Sequence, residues 1–281
     1  MRIFRDIEGL KVWSLDQHNA SRRIGFVPTM GALHEGHLRL LKHAQSDCDV
    51  TVCSIFVNPV QFNNPEDLKK YPRTLEKDLG LLETEKCDAV FTPEASEIYP
   101  EPSQVTFDFG DLDKILEGAY RPGHFNGVAL VVSKLFHMVM PHEAYFGQKD
   151  YQQYMVVSRL VKDLSFDVKL NCVPTTREES GLAMSSRNAR LSAEEKIRAT
   201  VLHRSLRQVK SQLLDGKSVS EVKGEVDEMY AQAGCRLEYL SLADRKNFAI
   251  LDRVTDPADC ILLVAAYVGE VRLIDNIMMT E

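Results

Sequence analysis

"RIGFVPTMGALHEGHLRLLKHAQSD", residues 23–47, decides how the chain is read. An apolar run rich in β-branched and aromatic residues leads into Pro28, then two glycines bracket a short loop, and leucines at helical spacing follow. Strand, loop and helix in that order form the first half of a βαβ unit. The pattern then repeats outward. "DVTVCSIFVN" (49–58), "DAVFT" (88–92), "EAYFG" (143–147) and "DVKLNCVP" (167–174) read as strands, the first of them apolar on both faces as a central parallel strand must be. Amphipathic segments at 37–47, 73–86, 125–140 and 150–164 read as the helices between them.

The pattern changes near residue 175. "LSAEEKIRATVLHRSLRQVKSQLLDG" places Ser192 and Glu195 at capping-box spacing and predicts one helix ending at Gly216. A second helix is expected at 218–233, with strands near 235–242, 260–267 and 270–274. The fold class is therefore α/β, a Rossmann-like doubly wound parallel sheet with a smaller C-terminal α+β domain. The expected domains are residues 1–175, the Rossmann-like unit, and 176–281, an α+β lid.

Composition excludes several classes of function. The 281 residues are 44% hydrophobic and 27% charged with a net charge of -7, and the lysines and arginines are scattered, so no basic stripe exists for a phosphate backbone. Nucleic acid is not an expected partner. The six cysteines show no C-x-x-C pair and read as reduced core residues. "MRIFRDIEGLKVW" has no long apolar run and no small-residue cleavage site, so the expectation is a cytoplasmic protein without a membrane segment.

His34 and His37 invite three readings. Zinc-binding helices space histidines four apart beside a glutamate, whereas "HEGH" spaces them three apart with no third ligand cluster. Gly31 and Gly36 have P-loop spacing, but His37 and Leu38 stand where Lys and Ser or Thr are required. A decorated helix start is the remaining plain reading. The position still favours anion binding: at the end of the first strand, glycines admit a ligand to the backbone, and exposed N–H groups and the helix dipole attract charge.

"HEGH" has the H-x-G-H form of the nucleotidyltransferases related to class I aminoacyl-tRNA synthetases, and "AMSSRN" (183–188) stands where these carry a K-M-S-K-S-like loop. More narrowly, "VPTMGALHEGH", "SIFVNPVQF", "YPRT", "EGAYRPGHFNGV", "VSKLF", "FGQKDYQQ", "SSRN" and "RLIDN", in this order from 27 to 276, resemble the pantothenate synthetase (pantoate-β-alanine ligase) family. The resemblance implies a condensation of pantoate with β-alanine through a pantoyl adenylate, with ATP as co-substrate and Mg2+ as cofactor. His37, His34, Lys149, Ser185, Ser186 and Arg187 are its implied catalytic residues. It implies that ATP contacts Met30, Gly31, Ala32, Leu33, His34, Glu35, Gly36 and His37, then Gly147, Gln148, Lys149, Asp150, Thr176 and Met184, and the Ser185, Ser186 and Arg187 triplet. Gln61, Gln153, Pro28, Met30, Asn58 and Tyr71 would shape the pantoate and β-alanine pocket.

The same resemblance implies that Mg2+ is held chiefly by ATP, with Asp78 as a second contact, against which a solvated helix aspartate is the preferred reading. It places Glu117, Arg121 and His124 near the site without a role, and it implies a homodimer. Gln148 stands where the family usually has glutamate, and Glu179 and Ser180 also depart from its pattern. Adenylylation of another small acceptor and a nucleotide-sensing module are the competing functions.

Overall fold

The structure is a computed structural model describing residues 1–281. It divides into two compact units. The first comprises Met1–Gln148 and Gln152–Pro174, and the second Lys149–Tyr151 and Thr175–Glu281.

The first unit is built on six parallel strands: β1 (Arg2–Phe4), β2 (Ile24–Thr29), β3 (Val50–Ile55), β4 (Ala89–Phe91), β5 (Glu143–Gly147) and β6 (Lys169–Val173), in the order β1-β4-β3-β2-β5-β6. Alternation along each strand supplies two cores. Phe26, Val52, Phe91 and Phe146 face one side, with the helices Ile7–Asn19 and His124–Val139 packed there through Leu10, Val128, Val132 and Phe136. Val27, Cys53, Val90 and Tyr145 face the other, covered by the helices Glu35–Asp47 and Leu75–Thr84 through Leu41, Ala44 and Leu82. Such a double winding reverses direction at β2, because β3 and β4 build outward on one side of it and β5 and β6 on the other. In open α/β sheets the crevice beyond the carboxyl ends at that reversal is where ligands bind. The "TMGALHEGH" loop leaves β2 there.

The opposite end of this sheet carries one buried carboxylate met by exposed cations. Glu143, 3% exposed, accepts hydrogen bonds from Arg23 (2.5 Å), Lys169 (3.0 Å) and Asn171 (2.8 Å). Burial by itself raises this carboxyl, but the three donors outweigh it and hold it at about 2, below its ordinary 4.5. A depressed native pKa contributes stability that is complete above the unfolded value and is lost as pH falls from about 4.5 toward about 2. Glu143→Gln is therefore expected to flatten the decline of unfolding free energy over that acid window, which urea titrations at stepped pH would read.

The second unit is an antiparallel sheet, ordered β10-β9-β7-β8, of β7 (Cys235–Asp244), β8 (Ile250–Leu251), β9 (Cys260–Val268) and β10 (Val271–Met278). The helices Val201–Leu214 and Val219–Gln232 bury Leu202, Leu206, Val209, Val222, Val226 and Tyr230 against Leu262, Val264 and Ala266. The predicted helix from Ser192 to Gly216 is two helices, Ala193–Ala199 and Val201–Leu214. Thr200 breaks it by donating its hydroxyl to the Ile197 carbonyl at 2.7 Å, a local bond that competes with the helical ladder. The Ser192 and Glu195 capping box forms as expected.

Short elements lie beyond the reach of periodicity: β1 has three residues and β8 two, too few to show an alternation. Lys149–Tyr151, expected within 1–175, belongs to the second unit. The Lys149 carbonyl accepts from Asn276 Nδ2 at 2.9 Å, and the Tyr151 ring stacks on Phe248 with centroids 6.3 Å apart. No helix is long and apolar enough to cross a membrane.

Candidate active site

Thr29 ends β2 by donating its hydroxyl to the Ser54 carbonyl at 2.7 Å, and the same oxygen accepts from Gly31 N–H at 3.2 Å. The chain then turns through two residues with positive φ, Gly31 (+80°) and Ala32 (+49°). A side chain at Gly31 would meet Ile55 Cγ2 at 3.0 Å and Asp78 Oδ2 at 3.1 Å, so this turn requires glycine on both conformational and steric grounds. Asp78, fully buried, reaches in from the helix Leu75–Thr84 and accepts from Ala32 N–H and Leu33 N–H, each at 2.8 Å, while Thr74 donates its hydroxyl at 3.1 Å. The aspartate is thus an internal anchor of the loop. This corrects the reading of Asp78 as a solvated helix residue.

His34 caps the helix Glu35–Asp47, and the cap is reciprocal. Gly36 N–H donates to His34 Nδ1 at 3.2 Å, and His34 N–H donates to His37 Nδ1 at 3.3 Å. The two rings lie 4.1 Å apart between centroids. A nitrogen that accepts a backbone N–H cannot carry a proton, so in this geometry each ring has its hydrogen on Nε2, and Nε2 is the donor of each ring. With each Nδ1 engaged by a backbone N–H, hydrogen-bond donation from each ring runs through Nε2.

The same accounting corrects a second expectation. The backbone donors of Gly31, Ala32, Leu33, His34, Gly36 and His37 are all taken by groups of the protein itself. The loop does not present a cradle of exposed N–H groups from residue 31 to 37.

Beside β3, the buried amides of Asn58 and Gln61 form a connected group. Asn58 Nδ2 donates to Gln61 Oε1 (3.1 Å) and to the Gly127 carbonyl (3.0 Å), and Asn58 Oδ1 accepts from Tyr99 Oη (2.9 Å). Gln61 Nε2 donates to Met30 Sδ at 3.1 Å, and His124 Nδ1–H donates to the Gln61 carbonyl at 2.9 Å. Met30, Asn58 and Gln61 are therefore brought together. Tyr71 is buried against Phe62, with centroids 5.7 Å apart, while Pro28 and Gln153 are half-buried. The next glutamine, Gln152, serves the fold: its Nε2 donates to the carbonyls of Leu112 and Ile115, and its Oε1 accepts from Glu117 N–H.

Sequence reasoning missed Gly127 and Tyr99 here. A Cβ at Gly127 would lie 2.6 Å from both Gln61 Cα and the Val60 carbonyl oxygen, so only glycine lets the helix His124–Val139 approach the Gln61 turn. Gly127→Ala gains helix propensity of at most about 1 kcal/mol, yet it forces three backbone atoms to move, for which overpacking costs of about 1–3 kcal/mol are usual. The clash prevails. Urea denaturation is expected to show a net loss of stability.

In the second unit, Ser185 caps the short helix Ser186–Arg190 by accepting from Arg187 N–H at 3.2 Å. Asn188, buried, ties that turn to Glu178 Oε1 and to the Ala183 carbonyl, each at 3.1 Å. The Thr176 carbonyl accepts from Met184 N–H at 2.9 Å, so these two main-chain positions hold one another across a small hairpin. Lys149 Nζ lies 3.8 Å from Asp150 Oδ1, with most of its side chain shielded. Gln148 is buried in the first unit, and Gly147, half-buried, ends β5.

These residues do not assemble a metal centre. No group of three or more His, Cys, Asp or Glu residues is arranged to hold an ion. Asp78 has both oxygens turned to the loop's donors. The donor set does not fit a protein-held magnesium, and Asp78 is corrected from metal contact to loop anchor.

The sequence profile of pantoate-beta-alanine ligase matches residues 2–278. A pantothenate synthetase from Ruegeria pomeroyi is 48% identical over 280 residues, covering 99% of this chain and 98% of its own. Another from Cytophaga hutchinsonii is 45% identical over 275 residues, 97% of each chain. Among solved structures, a pantothenate synthetase of Thermus thermophilus superposes with a TM-score of 0.91 at 41% identity, covering 99% of both chains. The pantoate-beta-alanine ligase of Francisella tularensis, crystallised with β-γ ATP and β-alanine, gives a TM-score of 0.83 at 36% identity, covering 100% of this chain and 98% of that one.

Proposed function

Because the chain belongs to the pantoate-beta-alanine ligase family, we propose that its site residues carry out the ATP-dependent condensation of pantoate with β-alanine as follows. In the first step a pantoate carboxylate oxygen attacks the α-phosphorus of ATP, the bond to the β-phosphate oxygen breaks, and pyrophosphate leaves. In the second, the β-alanine amine attacks the acyl carbon of pantoyl adenylate and AMP leaves, giving pantothenate.

Negative charge grows on the α-phosphate and on the departing pyrophosphate, so the first step calls for donors more than for a base. The reading is carried by the reciprocal cap of His34 and His37, which makes Nε2 the donor of each ring. In the second unit, Lys149, Ser185, Ser186 and Arg187 supply a cation, hydroxyls and a guanidinium suited to nucleotide phosphates. Met184 and Thr176 contact the adenine, and Gly147, Gln148 and Asp150 also contact the nucleotide. From residue 30 to 37 the contact is through side chains and carbonyl faces, since the N–H groups of 31–34, 36 and 37 are engaged internally.

Gln61 and Gln153 read the pantoate carboxylate and hydroxyls through amides, which donate and accept together. Pro28 and Met30 wall its gem-dimethyl carbon, and Asn58 and Tyr71 shape the pocket. Magnesium enters as part of the MgATP substrate, as suits an ion that keeps much of its water and binds through phosphates. Residues 1–175 supply the pantoate contacts and the nucleotide contacts from 30 to 37 and 147 to 150, and 176–281 supply Thr176, Met184 and the Ser185–Arg187 loop. The enzyme acts in the cytoplasm as a homodimer.

The test is a product assay with ATP, magnesium, pantoate and β-alanine, repeated without pantoate. AMP, pyrophosphate and pantothenate are expected in the full mixture, with no AMP in the second. Pyrophosphate together with a stable adenylylated product and no AMP would instead assign adenylyl transfer to another acceptor.

A further inference from the structure

The "RLIDN" stretch, residues 272–276, has no role in the reaction as described. We propose that Asp275 and Asn276 are positioning residues for the nucleotide-handling groups of the second unit, Lys149 and the Ser185–Arg187 loop. The inference rests on the roles given to those groups above.

Both residues are buried on β10, Asp275 at 3% and Asn276 at 1% exposure. Asn276 Nδ2 donates to the Lys149 carbonyl at 2.9 Å across 127 residues of sequence. Fixing that carbonyl fixes the peptide plane at Lys149, hence the direction in which its flexible stem leaves the backbone. Asp275 takes Arg177 in a two-pronged pair, Nη1 to Oδ2 at 2.6 Å and Nη2 to Oδ1 at 3.1 Å. Arg177 Nη2 also donates to the Asn276 carbonyl (3.1 Å) and Nη1 to the Gly181 carbonyl (3.3 Å).

Arg177 bridges to Ala183 across the hairpin that leads directly into Met184 and Ser185. One guanidinium therefore ties the first strand of that hairpin and its turn at Gly181 to Asp275, and the neighbouring amide ties Lys149 to the same stretch of strand. Asp275 Oδ1 also accepts from Asn276 N–H at 2.8 Å, which couples the two residues. Two adjacent side chains thus set two phosphate-handling groups, distant in sequence, on one rigid strand. A network satisfied this fully fixes a geometry, and a displacement of about 1 Å in such geometry can lower turnover on the order of 10²-fold.

A double-substitution cycle tests the proposal, reading pyrophosphate release from ATP and pantoate at temperatures below each variant's unfolding midpoint. Lys149→Ala is expected to slow release strongly. Asn276→Ala is expected to slow it on the order of 10-fold or more, with KM for pantoate unchanged. In the Lys149→Ala background the Asn276→Ala loss is expected to vanish, because the amide acts through the lysine. Losses that multiply would assign Asn276 to general stability and overturn the proposal. No loss from Lys149→Ala alone would overturn the lysine's own role, a separate failure. Should Asn276→Ala not fold, the same logic applies to Arg177→Lys, which keeps the charge and loses the fork: its loss must vanish in a background carrying Ser185→Ala, Ser186→Ala and Arg187→Ala together, and multiplicative losses there overturn the proposal.

Discussion

His37→Ala is expected to lower kcat for pantothenate formation on the order of 10²-fold or more, while ATP binding weakens far less, as for other donors aimed at developing charge. The variant removes two things at once, a donor at Nε2 and the acceptor that caps His34 N–H. Their sizes separate them. Loss of a helix cap costs about 1 kcal/mol of stability, whereas a 10²-fold drop in rate corresponds to about 2.7 kcal/mol in the transition state. His37→Asn divides the two chemically, because an asparagine oxygen sits near the Nδ1 position and can keep the cap while nothing stands at Nε2. It is expected to retain the wild-type unfolding midpoint more closely than the alanine variant does and to be as slow. An asparagine variant with near wild-type turnover would show that His37 serves the helix and not the reaction.

Asp78→Ala is expected to be the most damaging single change to the loop. It would leave two backbone donors, Ala32 N–H and the buried Leu33 N–H, without their acceptor. Each such group costs about 1–3 kcal/mol, and Ala32, already at φ +49°, would lose what holds it in that conformation. Loss of the loop geometry places both imidazoles wrongly, so kcat is expected to fall on the order of 10²-fold in addition. Asp78→Asn should do about half the harm, because one oxygen still accepts while the amide nitrogen opposes a second donor. The magnesium concentration needed for half-maximal rate is expected to be the same in Asp78→Asn as in the parent. A marked increase would return Asp78 to the metal.

Why the fold could be read and parts of the site could not follows from the range over which each signal acts. Alternation within a strand and 3.6-residue spacing within a helix are local, so the central strands and long helices lie within two or three residues of their predicted ends. The order of motifs was also visible, because each keeps its residue types. Partnership was not. Whether the N–H groups of "TMGALHEGH" point out toward a ligand or inward depends on Asp78, 46 residues on, and on Thr29 beside them. Gly127 looks like a weak point in an apolar helix until the backbone at Val60 and Gln61 is seen against it. Nothing near Lys149 in sequence hints at Asn276.

That last pairing bears on when the protein becomes competent during synthesis. The carbonyl that orients Lys149 waits for a residue made 127 positions later. Domains assembled from early segments can settle while later ones are still being made, yet this lysine cannot acquire its native direction until β10 has left the ribosome. A nascent chain arrested before β10 would carry the complete histidine loop and the complete Ser185–Arg187 sequence, and still lack the means to aim its cation. On the positioning proposed for Asn276, such a chain is expected to release no pyrophosphate from ATP and pantoate.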